Sequence, residues 1–401
     1  MSSKYIKNIQ ISKKYGVSRP TVGKWLENAI EQKNNLQVGN YNGRYYILDN
    51  KHNAAELARL KDKGVKYRNK IGFEEITPDA EFYKTFNEDQ IIEIISDIEF
   101  NKSIDMKFSY FGEGAQLWSS YVDQFASAES TNPNIQLELF KTTFEYIKMR
   151  LSKFDTINLV DLGTGNGYHV KDLIEILLSK GFKVTYTGID ISKDMLTIAS
   201  KNIETWFPQV KQYQIVQDFE EFNIRNNLFK NSLTDASSCN LVLFMGSTIG
   251  NFNDRTHVLR TISASLGKND YLIFDNGLDD EKRRTSFTSI QNKYTSKFII
   301  WLVNSLGFKS DMYESINRYD SEKQSRIYGI KLTKDIDLSF TIGGQSKTIS
   351  LSENDEIITW NHYSHSIPSL LEEVNGAGLN LINLALRQDN TGFLLMAQRK
   401  S

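Results

Sequence analysis

A single cysteine, Cys239, in a chain of 401 residues leaves no disulfide framework and no thiolate metal site. Proline is scarce as well, with five residues, beside abundant Lys, Asn and Ile. That pattern reads as an AT-rich coding sequence rather than a physical constraint. No apolar run approaches the ~18 residues a membrane span needs. The opening MSSKYIKNIQ has no apolar core of the kind a signal peptide carries. A cytoplasmic protein with no membrane partner is the expectation. Nor is there an internal repeat or a low-complexity tract, and the length suits two or three domains.

Excess charge of either sign is also missing overall, since the formal net charge is −1. It is unevenly spread, however. Residues 1–72 hold 15 Lys/Arg against 5 Asp/Glu, a balance of +10, and the remainder holds 33 against 44, a balance of −11. Two modules with different partners follow from that asymmetry.

The basic module has its own pattern. In IQISKKYGVSRPTVGKWLENAI (9–30) a short helix from Ser12 to Tyr15 is expected to stop at Gly16. Ser18 is the expected N-cap of a second helix, with Pro20 in its first turn. Val22, Trp25, Leu26 and Ala29 then share a buried face, while Arg19, Thr21 and Lys24 lie on the opposite, early part. Tyr41 to Ile47 reads as a hairpin around Asn42-Gly43, and a helix from Asn53 to Lys63 follows. The order resembles a winged helix-turn-helix, whose second helix enters the major groove by its N-terminal residues. Lys13, Lys14, Arg19, Thr21, Lys24 and Arg44 would then face phosphates or bases of duplex DNA. The other use of the same module is a protein contact, a homodimer among them, or a lid, with the basic face merely solvated. Gly72 to Asp105 is acidic and amphipathic and reads as a linker ending in a helix.

The centre of the chain carries chemistry. Ile157 to Val160 reads as a buried strand that ends in Asp161, followed by glycines at every second position, Gly163, Gly165 and Gly167. A helical pattern opens at Tyr168. Glycines at a strand-to-helix turn admit positive φ and let a ligand approach the backbone. The next strand, Val184 to Ile189, ends in Asp190, placed to hold both ribose hydroxyls. Such turns also serve dinucleotides. Here an acid precedes the first glycine, and the spacing is G-x-G-x-G rather than G-x-G-x-x-G. A pyrophosphate wants a bare helix N-terminus, whereas a sulfonium and an amino-acid end suit nearby carboxylates. The expected cofactor is S-adenosylmethionine.

Alternation continues beyond it. A helix is expected over Met195–Phe207, then strands at Tyr213–Val216, Asn240–Met245 and Tyr271–Asp275. Asp218, after the third strand, sits where an acid meets the adenine amino group in this fold. Leu379–Arg387 and Gly392–Arg399, joined at Asp389-Asn390, read as an antiparallel edge pair. That order favours a class I methyltransferase over a dehydrogenase.

The fourth strand runs into Phe244–Phe252, F-M-G-S-T-I-G-N-F. With D-L-G-T-G-N-G and D-I-S-K-D-M-L (Asp190 to Leu196), it resembles the histidine-specific methyltransferase family, over roughly residues 105–400. The resemblance implies transfer of methyl groups to the amine of an amino acid. It implies that Asp161, Gly163, Gly165, Gly167, Asp190 and Gly246 hold the cofactor, with Asp218 and Phe219 at the adenine. It implies that Asn251 binds the substrate near its amine, and that Tyr110, within K-F-S-Y-F-G-E-G-A-Q-L-W, leads into the site. Residues 279–370 would be a substrate-recognition insertion. Its runs Tyr328–Leu332, Leu338–Ile342 and Thr348–Leu351 read as one small antiparallel sheet.

The chain also departs from that family. Where the histidine enzyme has a glutamate and a serine, in a pattern like T-E-x-S-x-K-F, Trp360 and His362 stand in Thr359–His365. A pocket stripped of groups that hydrogen-bond an imidazole loses selectivity for it, so a different amine is expected as substrate. After the glycines, Tyr168-His169 stands where the family often has a lysine. Asn251, Tyr110 and His362 are the candidate catalytic groups, and Asn251, Tyr294, Trp360 and His362 the candidate substrate contacts. His365 is a further proton-relay candidate, more often a pocket wall; His257 and Cys239 read as structural. H-x-x-H without a third ligand is no metal site. A nucleic-acid methyltransferase is disfavoured, because Gly246 to Asn251 replaces the Pro-rich loop that holds a flipped base.

The fold class expected is thus α/β. A class I methyltransferase Rossmann-like sheet with a substrate-recognition insertion follows a small N-terminal winged helix-turn-helix domain. The limits read from sequence are 1–72 for that domain, 73–104 for a linker and helix, 105–278 for the methyltransferase core, 279–370 for the insertion and 371–401 for the C-terminal strand pair. The alternative function is a DNA-binding regulator that uses the methyltransferase fold as a ligand sensor.

Overall fold

The computed structural model describes residues 5–6, 8–17, 19–41, 44–71, 73–127, 135–218, 237–280, 284 and 293–400. In chain order it opens with β1 (Tyr5–Ile6), α1 (Asn8–Tyr15), α2 (Arg19–Ile30), β2 (Val38–Tyr41), β3 (Arg44–Leu48) and α3 (Lys51–Ile71). Then come β4 (Glu74–Ile76), α4 (Ala80–Thr85), α5 (Glu88–Ser96), α6 (Glu113–Ser127) and α7 (Ile135–Leu151). The alternating part is β5 (Thr156–Leu162), α8 (Tyr168–Ser179), β6 (Lys183–Asp190), α9 (Lys193–Trp206), β7 (Lys211–Val216), β8 (Ser238–Phe244), α10 (Arg255–Ser265) and β9 (Tyr271–Gly277). It is followed by α11 (Lys293–Ser305), β10 (Tyr313–Asp320), β11 (Ser325–Leu332), β12 (Ile336–Ile342), β13 (Gln345–Leu351) and β14 (Glu356–Tyr363). The chain ends in α12 (Ile367–Gly376), β15 (Leu379–Leu386) and β16 (Gly392–Arg399).

These elements form two compact units: 1–104 with 305–314 and 330–357, and 105–304 with 315–329 and 358–401. In the first unit, β1, β3 and β2 make an antiparallel sheet in that order. Ile11, Val22, Ala29, Leu36, Ile47 and Leu57 form its core, with Trp25 and Leu26 partly buried against it. Buried Asn53 ties the ends of the hairpin to α3: its side chain accepts from Gln37 N and donates to the carbonyls of Gln37 and Leu48, at 2.7, 2.7 and 2.8 Å. The α1 helix begins earlier than its apolar pattern suggested, at Asn8, and ends before Gly16. Lys13, Lys14 and Lys24 are exposed and Thr21 is partly buried. Ser18, the Asn42-Gly43 turn and the side chains of Arg19 and Arg44 lie outside the described residues.

The same unit contains more order in residues 73–104 than a linker would have. β4 pairs in parallel with β12, which pairs antiparallel with β13. Phe82 packs on Phe86 and on Phe340, with ring centroids 5.1 and 6.0 Å apart. Ile91, Ile94, Ile95 and Ile98 are buried while Ile92 is exposed, as one face of a helix dictates. The three insertion strands expected in one sheet fall in two. β12 and β13 join β4, whereas β11 lies between β10 and β14. Alternation marks a strand but does not name its partner, and β4 comes from far away in sequence.

The second unit is built on seven strands in the order β15-β16-β9-β8-β5-β6-β7. β9, β8, β5, β6 and β7 run parallel; β16 is antiparallel to both β9 and β15. Apolar clusters cover both faces, one carried by α7 and α8 and the other by α10 and α12. That double burial explains the nearly continuous apolar runs of β5 and β8. Strand order reverses at β5, with β6 on one side and β8 on the other. Ligands of open α/β sheets bind beyond the carboxyl ends of strands at such a switch point. The glycine turn, Asp190 and the turn after β8 all lie there. This is the class I methyltransferase sheet.

Candidate functional site

Asp161 in β5 is fully buried. Its two oxygens accept from His169 Nε2 at 2.9 Å and from the Tyr186 hydroxyl at 2.7 Å. Burial pulls the His169 imidazole down, but the Asp161 carboxylate, with Asp275 beyond it, outweighs this and raises it. The motif acid therefore has an imidazole partner, from the first turn of α8, that it holds towards its charged form. Gly163, Gly165 and Gly167 have φ of +71°, +50° and +77°. A Cβ on Gly165 would stand in ordinary contact with Trp118 Nε1, at 3.5 Å, so it is the positive φ that asks for glycine there. A bare turn keeps that gap open to a ligand.

Asp190 ends β6, nearly buried. Its Oδ1 accepts from Ser192 N at 2.9 Å, and Thr164 Oγ1 lies 3.5 Å from Oδ2. Burial raises its carboxyl to about 7; backbone donors from Ser192 and Thr164 offset only part of this, and the Asp161 charge adds to it. Burial outweighs the donors Asp190 already has, and ribose hydroxyls would add further ones. Asp218 follows β7 and pairs with Lys107 Nζ at 3.3 Å. Phe219 lies outside the described residues.

The turn after β8 has Gly246 at φ +77° and Ser247 at +59°. Ser247 N donates to Asp275 Oδ1 at 3.2 Å, and a single 3-10 turn runs from Thr248 to Asn251. Asn251 Oδ1 accepts from the Trp360 indole N–H at 3.0 Å, and the Asn251 amide also hydrogen-bonds the Tyr110 hydroxyl. Burial, reinforced by the charge of Asp190, pushes that hydroxyl well above the usual phenol range despite the Asn251 bond. Tyr110 therefore stays protonated at neutral pH. His362 Nε2 donates to the Ser247 carbonyl at 3.2 Å. Its ring lies so close to Gly250 that a Cβ there would meet it at 2.6 Å. Trp360 stacks on Tyr328, with centroids 5.1 Å apart and planes at 18°. The Arg326 guanidinium lies 4.4 Å from the centroid of that tyrosine ring.

Asn251, Tyr110, Trp360 and His362 are thus one cluster. Tyr294 belongs to α11, with its side chain outside the described residues. His365 is elsewhere: Asn276 donates to its Nδ1 and its Nε2 donates to Glu373, both at 2.9 Å. Fully buried, it serves a network that includes the Arg255–Glu373 pair. His257 stands in the first turn of α10, its N–H capped by Asp254, and Cys239 is a buried free thiol. Among the described residues no group of three His, Cys, Asp or Glu could hold a metal, and no helix is long and apolar enough to cross a membrane. Sequence reasoning singled out only Tyr110 in the stretch from Lys107 to Trp118, yet both ends of that stretch reach the site. The signal for them was a cation and an indole on either side of a tyrosine already under suspicion.

S-adenosylmethionine fits these residues. The bare turn could admit the cofactor's amino-acid end, the buried Asp190 carboxylate could accept from the ribose, and the ion-paired Asp218 could accept from the adenine amine. The histidine-specific, S-adenosylmethionine-dependent methyltransferase profile matches residues 93–399. No curated sequence is significantly similar to the chain. Among solved structures, the CcbJ methyltransferase of Streptomyces caelestis is similar at 10% identity and TM-score 0.37, covering 70% of this chain and 96% of its own. Magnesium protoporphyrin IX methyltransferase of Synechocystis PCC 6803, with bound S-adenosylhomocysteine, is similar at 10% identity and TM-score 0.37, covering 78% and 100%. Streptomyces venezuelae DesVI is similar at 14% identity and TM-score 0.35, covering 69% and 96%. Likenesses this remote carry no argument; the profile and the strand order do. The chain belongs to the histidine-specific, S-adenosylmethionine-dependent methyltransferase family, and S-adenosylmethionine is its cofactor.

Proposed function

We propose that the protein methylates the amine of an amino acid or an amino-acid-like small molecule, and that the substrate is not histidine. The observation that carries this reading is Asn251, held at the end of the turn after β8 by Trp360 and Tyr110. Bound S-adenosylmethionine supplies an electrophilic methyl group for in-line displacement by a neutral nitrogen. The chain's task is then to position that nitrogen and take up its proton. The Asn251 oxygen keeps one lone pair beside the Trp360 bond, enough to orient an N–H. Protonated Tyr110 is a hydrogen-bonding group, not a base. His362 commits Nε2–H to Ser247, so a proton could be accepted only at Nδ1. Trp360 replaces a carboxylate of the histidine enzymes by a ring stacked on Tyr328, which supports a flat or apolar side chain in place of imidazole. Incubation with S-adenosylmethionine and a panel of amino acids and amines, read by mass spectrometry, tests this. A product heavier by one to three methyl groups that disappears in Asn251→Ala supports it. Methylated histidine as the main product refutes the altered-substrate part.

A second reading concerns residues 1–72. The order β1-α1-α2-β2-β3-α3 around one small core supports a winged helix-turn-helix, with α2 as recognition helix and the β2–β3 hairpin as wing. Exposed Lys13, Lys14 and Lys24, and a balance of +10, support duplex DNA as its partner. The protein would then act as a regulator whose methyltransferase fold senses a ligand. Fluorescence anisotropy of the full chain with duplex DNA should show affinity falling steeply with salt. Binding that is absent at low salt removes this reading. Binding indifferent to S-adenosylmethionine and substrate removes only the sensor coupling.

A further inference from the structure

Trp118, in α6, has a ring fixed from several sides. Phe298 and Tyr121 lie 5.1 and 5.4 Å from its centroid, and Tyr110 meets it edge-on at 5.5 Å. The segment leading to it is tied down along its length. Lys107 bonds Asp218 at 3.3 Å, the Tyr110 carbonyl accepts from Ser192 Oγ at 2.6 Å, and Gly112 N donates to Asp194 at 2.8 Å. The indole is thereby held in one orientation at the glycine turn. Its Nε1 is the nearest group to the point where a Cβ on Gly165 would stand, at 3.5 Å. No acceptor among the described residues takes that N–H. Trp118 is half-buried, and its N–H is left open to a ligand at the turn.

We propose that the Trp118 indole N–H is the donor for the carboxylate of the cofactor's methionine end. The two observations are independent: a pre-oriented donor with no protein acceptor, and a bare glycine in front of it. Asp190 faces the ribose on β6 and Asp218 the adenine beyond β7, so the amino-acid end is the part of the cofactor left for the turn after β5. It is also the part that carries an anion. Asp161 is engaged by His169 and Tyr186, so the cation and hydroxyl nearest the turn are already committed. An N–H from outside the sheet meets the need. A hydrogen bond to a charged group is worth about 10- to 100-fold in affinity. The proposal concerns only the cofactor and stands whether or not the acceptor is an amine.

Calorimetric titration with S-adenosylmethionine, S-adenosylhomocysteine and 5′-methylthioadenosine, which lacks the amino-acid end, tests it. Trp118→Phe keeps a ring and removes the N–H. It should weaken the first two by tenfold or more and leave methylthioadenosine within twofold. Equal weakening of all three, or no weakening of any, overturns the proposal. Should that variant not fold, wild-type protein labelled with 15N-tryptophan gives the same answer. One indole N–H resonance should shift on adding S-adenosylhomocysteine and stay in place with methylthioadenosine; identical spectra for the two ligands overturn the assignment.

Discussion

The cofactor side and the acceptor side of this site are made of different materials. At the ends of β5, β6 and β7 stand carboxylates, Asp161, Asp190 and Asp218, two of them nearly or fully buried, and Asp161 is already taken by His169 and Tyr186. Beyond β8 the cluster holds no carboxylate: the Asn251 amide bonds the Tyr110 phenol and the Trp360 indole, and the His362 imidazole bonds the Ser247 carbonyl. The difference suits what each side would bind under the proposed function. Ribose hydroxyls and an adenine amine are donors, and carboxylates are strong acceptors for them. A nitrogen nucleophile must reach the methyl group unprotonated, and an anion beside it would favour its charged, unreactive form. A neutral amide orients the N–H without stabilising an ammonium ion.

That contrast predicts separable defects. The largest effect on turnover lies on the acceptor side: Asn251→Ala should lower the rate of methyl transfer by about 10²-fold, the scale seen when one preorganised polar group is removed. Single-turnover assays check this. A loss below threefold would put the orienting role elsewhere. Next is a pH effect on the cofactor side. Asp190 is raised to about 7 by burial, and ribose donors bind its ionised form. Affinity for S-adenosylmethionine should fall by up to tenfold per unit as pH drops below about 7, and level off above it. The sign for the unliganded fold is opposite. A raised carboxyl contributes stability that is fully present below the unfolded value near 4 and is lost as pH rises through 7. Thermal melts with and without cofactor should therefore diverge as pH increases.

Smaller effects sharpen the acceptor side. Gly250→Ala places a Cβ 2.6 Å from the His362 ring and should cost about 1–3 kcal/mol in denaturant unfolding. A neutral result would mean that β14 gives way and does not clamp the turn. Trp360→Phe keeps the stack on Tyr328 and removes the bond to Asn251. We expect turnover to drop about threefold to tenfold with cofactor affinity unchanged, in line with one neutral hydrogen bond. The smallest effect belongs to Lys107→Met, which should weaken S-adenosylmethionine a few-fold by releasing Asp218.

The same contrast explains what could be read in the sequence. The cofactor side announces itself because Asp161, Gly163, Gly165, Gly167 and Asp190 sit at fixed places on consecutive strands, and the apolar runs of β5 and β8 mark a sheet buried on both faces. The acceptor side draws single residues from a segment before the sheet, a turn after β8 and a strand far downstream. Tyr110, Asn251 and Trp360 meet only in three dimensions. The resemblance placed them near one another, yet neither the bond from Trp360 to Asn251 nor the grip of His362 on Ser247 could be read from spacing. His365 shows the reverse case. Three residues from His362, it shares the H-x-x-H string but turns into the Asn276–Glu373 network. Residues 73–104 looked like a linker because β4 is only three residues long, too short to leave a period-2 signal.

The most direct test of the two-sided site is calorimetric binding of S-adenosylmethionine to Asp190→Asn and Asn251→Ala in parallel. Asp190→Asn should lose most of its affinity, roughly 10²-fold or more if two charge-assisted bonds are lost. Asn251→Ala should bind the cofactor within about twofold of wild type, the limit within which no hydrogen bond has been removed. Wild-type affinity in Asp190→Asn, or a comparable loss in Asn251→Ala, would contradict the division of labour between the two sides.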